Sequence, residues 1–533
     1  MSCSVLLVGL SLLVQVPPPS LGTTTAKELE AARRSIVANE AAEINDVAQQ
    51  LAGAGDSKAA QLVRARIARP VEQDGPTRIM PLAEVVKARP EERGGEPWRA
   101  QFHEIETRSG LALFNLAQRA SKSDPPSYAL ASQCLRAVLE RQPDQREARR
   151  LLGYVPYEGG WARPFAVDQL RKGYVSHPIF GWVLSDWVPH LDRGELPAPV
   201  TRGQNKARWL SAQQANNLRA NWSPPWRINT EHFEIQTNVP LDEAITFGRR
   251  LEAFHDVFMA ILTDILGENI PLVRRFKDPS MTGEPGYKPH AVYYFGSQNE
   301  YTDHLTPRYG PEIGESLGFY DPPKAGANKR QPAYFFRDPN GQLPMTATLY
   351  HEVSHQLLFE TAGPNAYTRN VGNYWVFEGL GTYFETITPL QDGSIEVGGL
   401  VGRRMEEAIR SLADQGRVIP LAEFVGFDQA AFNSKDRIYV HYQEATALTV
   451  FLMQWHQGTY RDGFLEYVRD AYRGRIKHRP GQFLQDRLGQ SYTVIDSQLR
   501  AFLKNGEARS GGRGAAAAQP VPAERAIRTV PKQ

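Results

Sequence analysis

The stretch "YHEVSHQLLFE", Tyr350 to Glu360, combines two histidines four positions apart with a glutamate directly after the first. No Gly or Pro interrupts the surrounding sequence "TATLYHEVSHQLLFE", so it predicts one continuous helix. On a helix, His351 and His355 lie one turn apart on the same face, where their imidazoles can bind one zinc ion. Glu352 is placed to accept a proton from water and to pass it to a leaving group.

A catalytic zinc site normally takes three protein ligands, so a third must come from elsewhere in the chain. The stretch "YWVFEGLGTYFE" offers Glu378 in a second helical segment that is rich in aromatic residues. Aromatic neighbours would bury this carboxylate, which would then need a partner such as zinc. The alternative is a carboxylate that caps the helix or forms a salt bridge. Glu385 and Thr382 are expected to hydrogen-bond the outer nitrogen of a ligand histidine, or else to be ordinary surface residues.

These segments resemble a known class of proteins. HEVSH and WVFEGLGTYFE are similar to the HExxH and WxxEGxxxYxE signatures of gluzincin metallopeptidases, the class that contains thermolysin and the aminopeptidase N family. Together with "HFEIQTN", "GFYDP" and "YVHYQEATALTVFL", they resemble more closely the exported, peptidase-MA-like domain proteins, over roughly residues 229–470. The resemblance implies a zincin-like domain, Zn²⁺ as the cofactor and hydrolysis of peptide bonds.

The sequence also departs from the aminopeptidase N pattern. His355 and Glu378 are separated by 22 residues, more than in that family, and "AGPNAYTRNVGN" is the expected inserted loop. No Gly-x-Met-Glu-Asn stretch, which those enzymes use to hold a free amino terminus, occurs upstream. We therefore expect an endopeptidase rather than an aminopeptidase.

Related enzymes add a side chain from a later helix to stabilise the oxyanion that forms during hydrolysis. The segment "DRIYVHYQEATALTVFLMQW" offers Tyr439, His441 and Tyr442 just before an apolar helical run. By similarity we assign this role to Tyr442, with Tyr439 as the second candidate. A tyrosine that packs with its hydroxyl in water is an equal alternative for either residue. His441 is a weaker candidate for a metal ligand than Glu378.

The pattern of apolar residues predicts an α+β fold in which a small mixed sheet precedes a helical half. The helical pattern of "YALASQCLRAVLERQPDQREARRLLGY" predicts one helix ending near Arg141 and another through Leu152, a pair similar to a single tetratricopeptide unit. The expected domains are a signal peptide (1–26), a helical module (27–152), an aromatic and Pro-rich connector (153–228), a zincin-like metallopeptidase domain (229–504) and a disordered tail (505–533).

Composition restricts the environment and the partners. Lys and Arg total 61 against 59 for Asp and Glu, and no long run of one charge occurs, which argues against nucleic acid as a partner. The apolar run "VLLVGLSLLVQV" is too short to span a membrane but is typical of a secretory signal, although no Lys or Arg precedes it. Removal of the signal would leave Cys134 as the only cysteine, which excludes an internal disulfide.

The sequence thus predicts an exported zinc metallopeptidase that acts on peptide or protein substrates, without a stable membrane span. The N-terminal helical module is a candidate surface for a protein partner. One alternative is a noncatalytic cell-envelope protein that uses a peptidase-like scaffold for interaction. Another is a zinc hydrolase that acts on amides other than peptides. The combination of Glu352, both histidines and Glu378 favours the peptidase.

Overall fold

The computed structural model describes residues 25–67, 75–87, 97–199, 207–281, 288–322, 330–362, 372–415, 419–434, 436–476 and 479–513. Residues 1–24 of the predicted signal peptide, most of the predicted inserted loop, and residues 514–533 of the predicted tail lie outside these ranges. The described ranges are mostly helical and contain small mixed sheets, so the predicted α+β class is confirmed.

The first part of the chain is mainly helical, as predicted, but it also contributes two short strands. Its elements are α1 (Ala26–Gly53), α2 (Ser57–Arg64), β1 (Thr77–Ile79), β2 (Val85–Val86), α3 (Pro97–Ser121), α4 (Tyr128–Arg141) and α5 (Arg146–Leu151). Helix α1 begins with a capping box, in which the side chains of Thr25 and Glu28 each accept a backbone N–H from the other residue. Helix α4 ends at Arg141, where the sequence predicted an end.

Residues 155–199 and 207–217, predicted as part of a connector, contain three successive units of one β-hairpin followed by one short helix. The units comprise β3 (Val155–Tyr157), β4 (Gly160–Ala162) and α6 (Pro164–Arg171); β5 (Tyr174–His177), β6 (Gly181–Leu184) and α7 (Val188–Asp192); and β7 (Glu195–Pro197), β8 (Trp209–Ser211) and α8 (Ala212–Asn217). The second strand of each hairpin carries a tryptophan: Trp161, Trp182 and Trp209. These three units of a hairpin and a helix are the hairpin repeats of the chain.

The next part of the chain builds a five-stranded mixed sheet. Its elements are β9 (Trp226–Asn229), β10 (Phe233–Thr237), α9 (Leu241–Leu266), α10 (Pro271–Lys277), β11 (His290–Phe295), α11 (Gln298–Tyr309), β12 (Gly318–Tyr320) and β13 (Ala333–Phe336). The strand order is β12-β13-β11-β10-β9. The three central strands are parallel, and the two edge strands are antiparallel to their neighbours. The predicted boundary at residue 229 falls on the last residue of β9.

The remainder is helical apart from one hairpin. Its elements are α12 (Met345–Ala362), α13 (Tyr374–Phe384), β14 (Thr388–Pro389), β15 (Ile395–Val397), α14 (Arg403–Gln415), α15 (Leu421–Phe424), α16 (Gln429–Phe432), α17 (Ile438–Gly458), α18 (Arg461–Tyr472), α19 (Pro480–Leu488) and α20 (Tyr492–Arg513). The backbone of α17 leaves the helical conformation at Trp455. Helix α20 continues to Arg513, beyond residue 505, where the sequence predicted the start of a disordered tail.

The N-terminal helices and the later helices share one hydrophobic core. The largest cluster of buried side chains contains Leu135 of α4, Phe258 of α9 and Phe451 of α17. Strand β1 also pairs with β15, which follows α13 in the chain, so an N-terminal segment extends the β14–β15 hairpin. Residue 152, predicted as a domain boundary, is therefore not a boundary of the core. Within the described ranges, no helix has the length and apolar character needed to cross a membrane.

Candidate metal centre

Helices α12 and α13 bring His351, His355 and Glu378 together. One potential ligand atom from each of these buried residues lies within 4.8 Å of the other two. Nε2 of His351 is 3.2 Å from Oε2 of Glu378. The two imidazole rings have centroids 4.7 Å apart and are almost perpendicular, at 88°. The three residues are thus close enough to bind a single cation.

Several polar atoms of this group are buried and have no hydrogen-bond partner within the described residues. They are both ring nitrogens of His355 and Oε2 of Glu378, whose approach to His351 lacks the geometry of a directed hydrogen bond. A buried polar atom left without a partner typically costs about 1–3 kcal/mol. A metal ion coordinated by one ring nitrogen of His355 and by Oε2 of Glu378 would remove that cost for those two atoms, so the residues present fit a zinc site.

The protonation states of His355 and Glu378 suit metal binding, whereas His351 carries a proton. Burial lowers the pKa of His355 to about 3, so this imidazole is neutral, the form that coordinates zinc. Burial would raise the pKa of Glu378, but His351 outweighs it and holds that pKa at about 2. Burial would likewise lower the pKa of His351, yet the carboxylates of Glu378 and Glu385 raise it to about 10. A metal ion would have to displace this proton from His351.

Glu385, the first residue after α13, contacts the outer nitrogen of His351. Oε1 of Glu385 lies 2.8 Å from Nδ1 of His351. Arg404 of α14 donates to the same oxygen. A carboxylate in this position orients the imidazole and leaves Nε2 for a metal. The sequence suggested Glu385 but gave no indication of Arg404, whose role depends on the position of a helix outside both motifs.

The ring of His355 is oriented in a different way. It stacks on Phe377 with a centroid distance of 3.7 Å and an interplanar angle of 8°. Neither of its nitrogens has a hydrogen-bond partner among the described residues. Aromatic packing rather than an outer hydrogen bond therefore fixes the direction of this imidazole.

The glycine-containing sequence of α13 allows its close approach to α12. A Cβ atom added at Gly381 would lie 2.7 Å from Cε1 of His351, which is nearer than side chains in folded proteins pack. Thr382, a second candidate for contact with a ligand histidine, is placed differently. Its hydroxyl donates to the backbone oxygen of Gly379, at 3.1 Å, within its own helix. Thr382 therefore makes no hydrogen bond to His351 or His355.

Glu352 follows His351 on α12 and faces the edge of the five-stranded sheet. Its Oε2 accepts the backbone N–H of Tyr320 in β12, at 3.1 Å. Burial, with a further contribution from the carboxylate of Glu378, raises the pKa of Glu352 to about 7. A carboxylate whose pKa lies near neutral pH is an effective general base. A bound cation would lower this pKa again.

The two candidate tyrosines lie in different environments. The ring of Tyr442 has its centroid 6.4 Å from that of His351, and the guanidinium of Arg404 lies 4.4 Å from the Tyr442 centroid. Burial raises the pKa of Tyr442, so its hydroxyl remains a donor. Tyr439 is 78% exposed and lies at the surface. Nδ1 of His441 is 2.6 Å from the backbone oxygen of Phe432, and His441 is not part of the three-residue group.

A large cavity lies away from this centre. Its volume is about 2280 Å³, and its walls come from the N-terminal helices, the hairpin repeats and α9. None of the three candidate ligands lines it. The cavity is therefore distinct from the group that could hold a metal.

Comparison with protein families gives one match. Residues 345–474 match the family described as "Protein of unknown function (DUF1570)". This segment runs from α12 to the residues after α18 and contains the three candidate ligands, Glu352, Glu385, Arg404 and Tyr442. No curated protein matches the chain.

Proposed function

We propose that the protein is an exported, zinc-dependent metallopeptidase of the gluzincin type, with a zincin-like domain. The observation that carries this proposal is the convergence of the buried residues His351, His355 and Glu378 next to Glu352. His355 and Glu378 also have buried polar atoms without a hydrogen-bond partner among the described residues. The mixed sheet precedes α12 in the chain, and its edge strand β12 donates a backbone hydrogen bond to Glu352. Both features support a zincin-like arrangement. His351, His355 and Glu378 would hold the metal.

When bound, zinc supplies a Lewis acid that polarises the substrate carbonyl and lowers the pKa of water. Glu352 accepts a proton from the attacking water and transfers it to the leaving amine. The N–H of Tyr320 holds the carboxylate of Glu352 in place before the substrate arrives. Tyr442 donates a hydrogen bond to the carbonyl oxygen as negative charge develops there.

Endopeptidase activity is proposed in preference to aminopeptidase activity, because the chain lacks the Gly-x-Met-Glu-Asn segment that holds a free amino terminus in aminopeptidase N relatives. Export is proposed from the apolar run at Val5 to Val16. Because an endopeptidase cleaves bonds within a chain, an extended, unfolded polypeptide is the substrate class to test first.

Replacement of Glu352 by Gln tests the proposed chemistry. Zinc-loaded wild-type protein should cleave a denatured, unlabelled protein substrate such as casein, as followed by the release of new amino termini. Glu352→Gln should retain the metal and lose at least about a hundredfold in rate, since general-base catalysis contributes roughly 10²–10⁴-fold. The exposed Glu406 of α14 provides a matched control, and Glu406→Gln should cleave at the wild-type rate. Wild-type activity in Glu352→Gln would refute the mechanism.

A further inference from the structure

Arg404 lies between two parts of the candidate site that come from different helices. Its guanidinium pairs with Glu385, and Glu385 contacts the outer nitrogen of His351 at 2.8 Å. The same guanidinium lies 4.4 Å from the centroid of the Tyr442 ring. One side chain therefore contacts both the carboxylate that orients a candidate ligand and the candidate oxyanion donor.

We propose that Arg404 is a positioning residue that fixes His351 and Tyr442 relative to each other. This inference rests on the proposed function, because it assigns a role within the same site. A guanidinium is planar and carries its donors in a fixed fork. It can donate to a carboxylate in its plane while its face packs on an aromatic ring. Arg404 makes both kinds of contact, one with Glu385 and one with Tyr442.

The neighbouring residue on the same helix shows how an ordinary surface arginine differs. Arg403 is 73% exposed and pairs with Glu407 one turn along α14. The side chain of Arg404 is 35% exposed, and that of its partner Glu385 is 15% exposed. Exposed ion pairs within one helix contribute little to stability. A shielded ion pair between two elements helps to fix their relative position. Arg403 is therefore a matched control for Arg404.

Substitution of Arg404 by Lys allows the contact with Glu385 and the contact with Tyr442 to be tested separately. Its ammonium can still pair with Glu385, but it has no planar face to pack on Tyr442. Arg404→Lys should therefore preserve the orientation of His351 and release Tyr442. Arg404→Gln should lose both effects. A purely structural role would instead give losses that follow thermal stability in both variants.

The test uses the full-length protein and two binding measurements that need no substrate. The first is the Kd for zinc, from competition with a chelator. The second is the Kd of the zinc-loaded protein for acetohydroxamate, a small zinc chelator that offers its carbonyl oxygen to a nearby donor. Arg404→Gln should weaken zinc binding by about 10–100-fold, as does the loss of other residues that orient a metal ligand. Arg404→Lys should bind zinc within about threefold of wild type.

Acetohydroxamate should bind about tenfold more weakly to Arg404→Lys and to Tyr442→Phe, which is the loss expected for one hydrogen bond. The double variant Arg404→Lys/Tyr442→Phe should bind it no more weakly than Tyr442→Phe alone. Arg403→Gln should change neither Kd. The proposal is overturned if Arg404→Lys binds acetohydroxamate like wild type, if the two losses add, or if Arg404→Gln behaves like Arg403→Gln.

A wild-type protein that binds zinc and acetohydroxamate but cleaves no peptide would refute the peptidase and leave the role of Arg404 to be decided by the variants. A wild-type protein that binds no zinc would refute both.

Discussion

Nε2 of His351 lies 3.2 Å from Oε2 of Glu378, although the two residues belong to separate helices. This contact defines the candidate centre, because it brings the third possible ligand to the pair of histidines on α12. It depends on how closely α13 can approach α12. Gly381, one turn after Glu378, faces the ring of His351.

Substitution of Gly381 by Ala should displace the ring of His351. The added Cβ would lie 2.7 Å from Cε1, so the imidazole or α13 must shift. We expect zinc affinity to fall by at least about tenfold, since ligands must be held near their productive geometry. Gly53 of α1 has nothing within 4 Å of the added methyl, and Gly53→Ala should leave zinc affinity unchanged. Equal Kd values for the two variants, measured by chelator competition, would contradict this account of the helix contact.

Arg136 of α4 should be important for the stability of the whole protein. Its guanidinium donates two hydrogen bonds to the carboxylate of Asp256 in α9, with N–O distances of 2.6 and 2.8 Å. Arg136→Met would leave the Asp256 carboxylate without this partner, at a cost of about 3 kcal/mol. The exposed pair of Lys172 and Asp168 provides the control, because Lys172→Met should cost under about 0.5 kcal/mol.

Urea denaturation, followed by tryptophan fluorescence and by circular dichroism, measures both variants. Because the N-terminal helices share the core of the later helices, Arg136→Met should move the main transition in both signals. A shift confined to a separate minor transition would show that the N-terminal part unfolds independently. Such a result would restore the predicted division at residue 152.

Glu84 should make the protein less stable as the pH rises. Burial, followed by the nearby carboxylates of Glu252 and Glu231, raises its pKa from the ordinary value of 4.5 to about 7. Folded and unfolded chains both carry the proton well below pH 4.5, so the folded state bears no penalty there. Above pH 4.5 the unfolded chain loses this proton while the folded chain still holds it. The free energy of unfolding therefore falls as the pH rises through about 7.

Glu84→Gln should remove this pH dependence, because an amide oxygen can still accept the Trp182 indole N–H that now lies 3.0 Å from the carboxylate. At pH 8 the variant should be more stable than wild type by roughly 1–2 kcal/mol, below the full linkage value because the carboxyl is only partly buried. At pH 5 the difference should be smaller. Urea midpoints at both pH values test this, with the exposed Glu104→Gln as the control. A difference in urea midpoint between wild type and Glu84→Gln that is the same at pH 5 and pH 8 would contradict this role of Glu84.

Local patterns in the sequence predicted much of the fold. The apolar residues of "LDEAITFGRRLEAFHDVFMAILTDIL" follow the period of an amphipathic helix, and α9 spans this stretch in full, Leu241–Leu266. The short β-prone runs "HFEIQTNV", "AVYYFGS", "GFYDP" and "AYFFRD" indicate strands, and β10 to β13 lie in these four runs. The hairpin repeats were missed because the third hairpin has a much longer connection than the first two, so the glycine and tryptophan positions do not recur at a constant interval.

The candidate centre was predictable only where it depends on local geometry. A spacing of four residues places His351 and His355 on one helical face, and helix geometry alone ensures this. Tyr439 and Tyr442 could not be separated by sequence, because only the packing of α17 leaves Tyr439 exposed and Tyr442 partly buried against the core. Arg404 could not be found at all, since its partners come from α13 and α17 and no local pattern links it to them.

The metal centre can be tested by a crystal structure of the zinc-loaded protein, with anomalous scattering recorded on both sides of the zinc edge. We predict one strong anomalous peak bounded by His351, His355 and Glu378, with metal–ligand distances of about 2.0–2.2 Å. No peak at that position, or a peak held by other residues while Glu378 stays apart from it, would contradict the proposed metal centre.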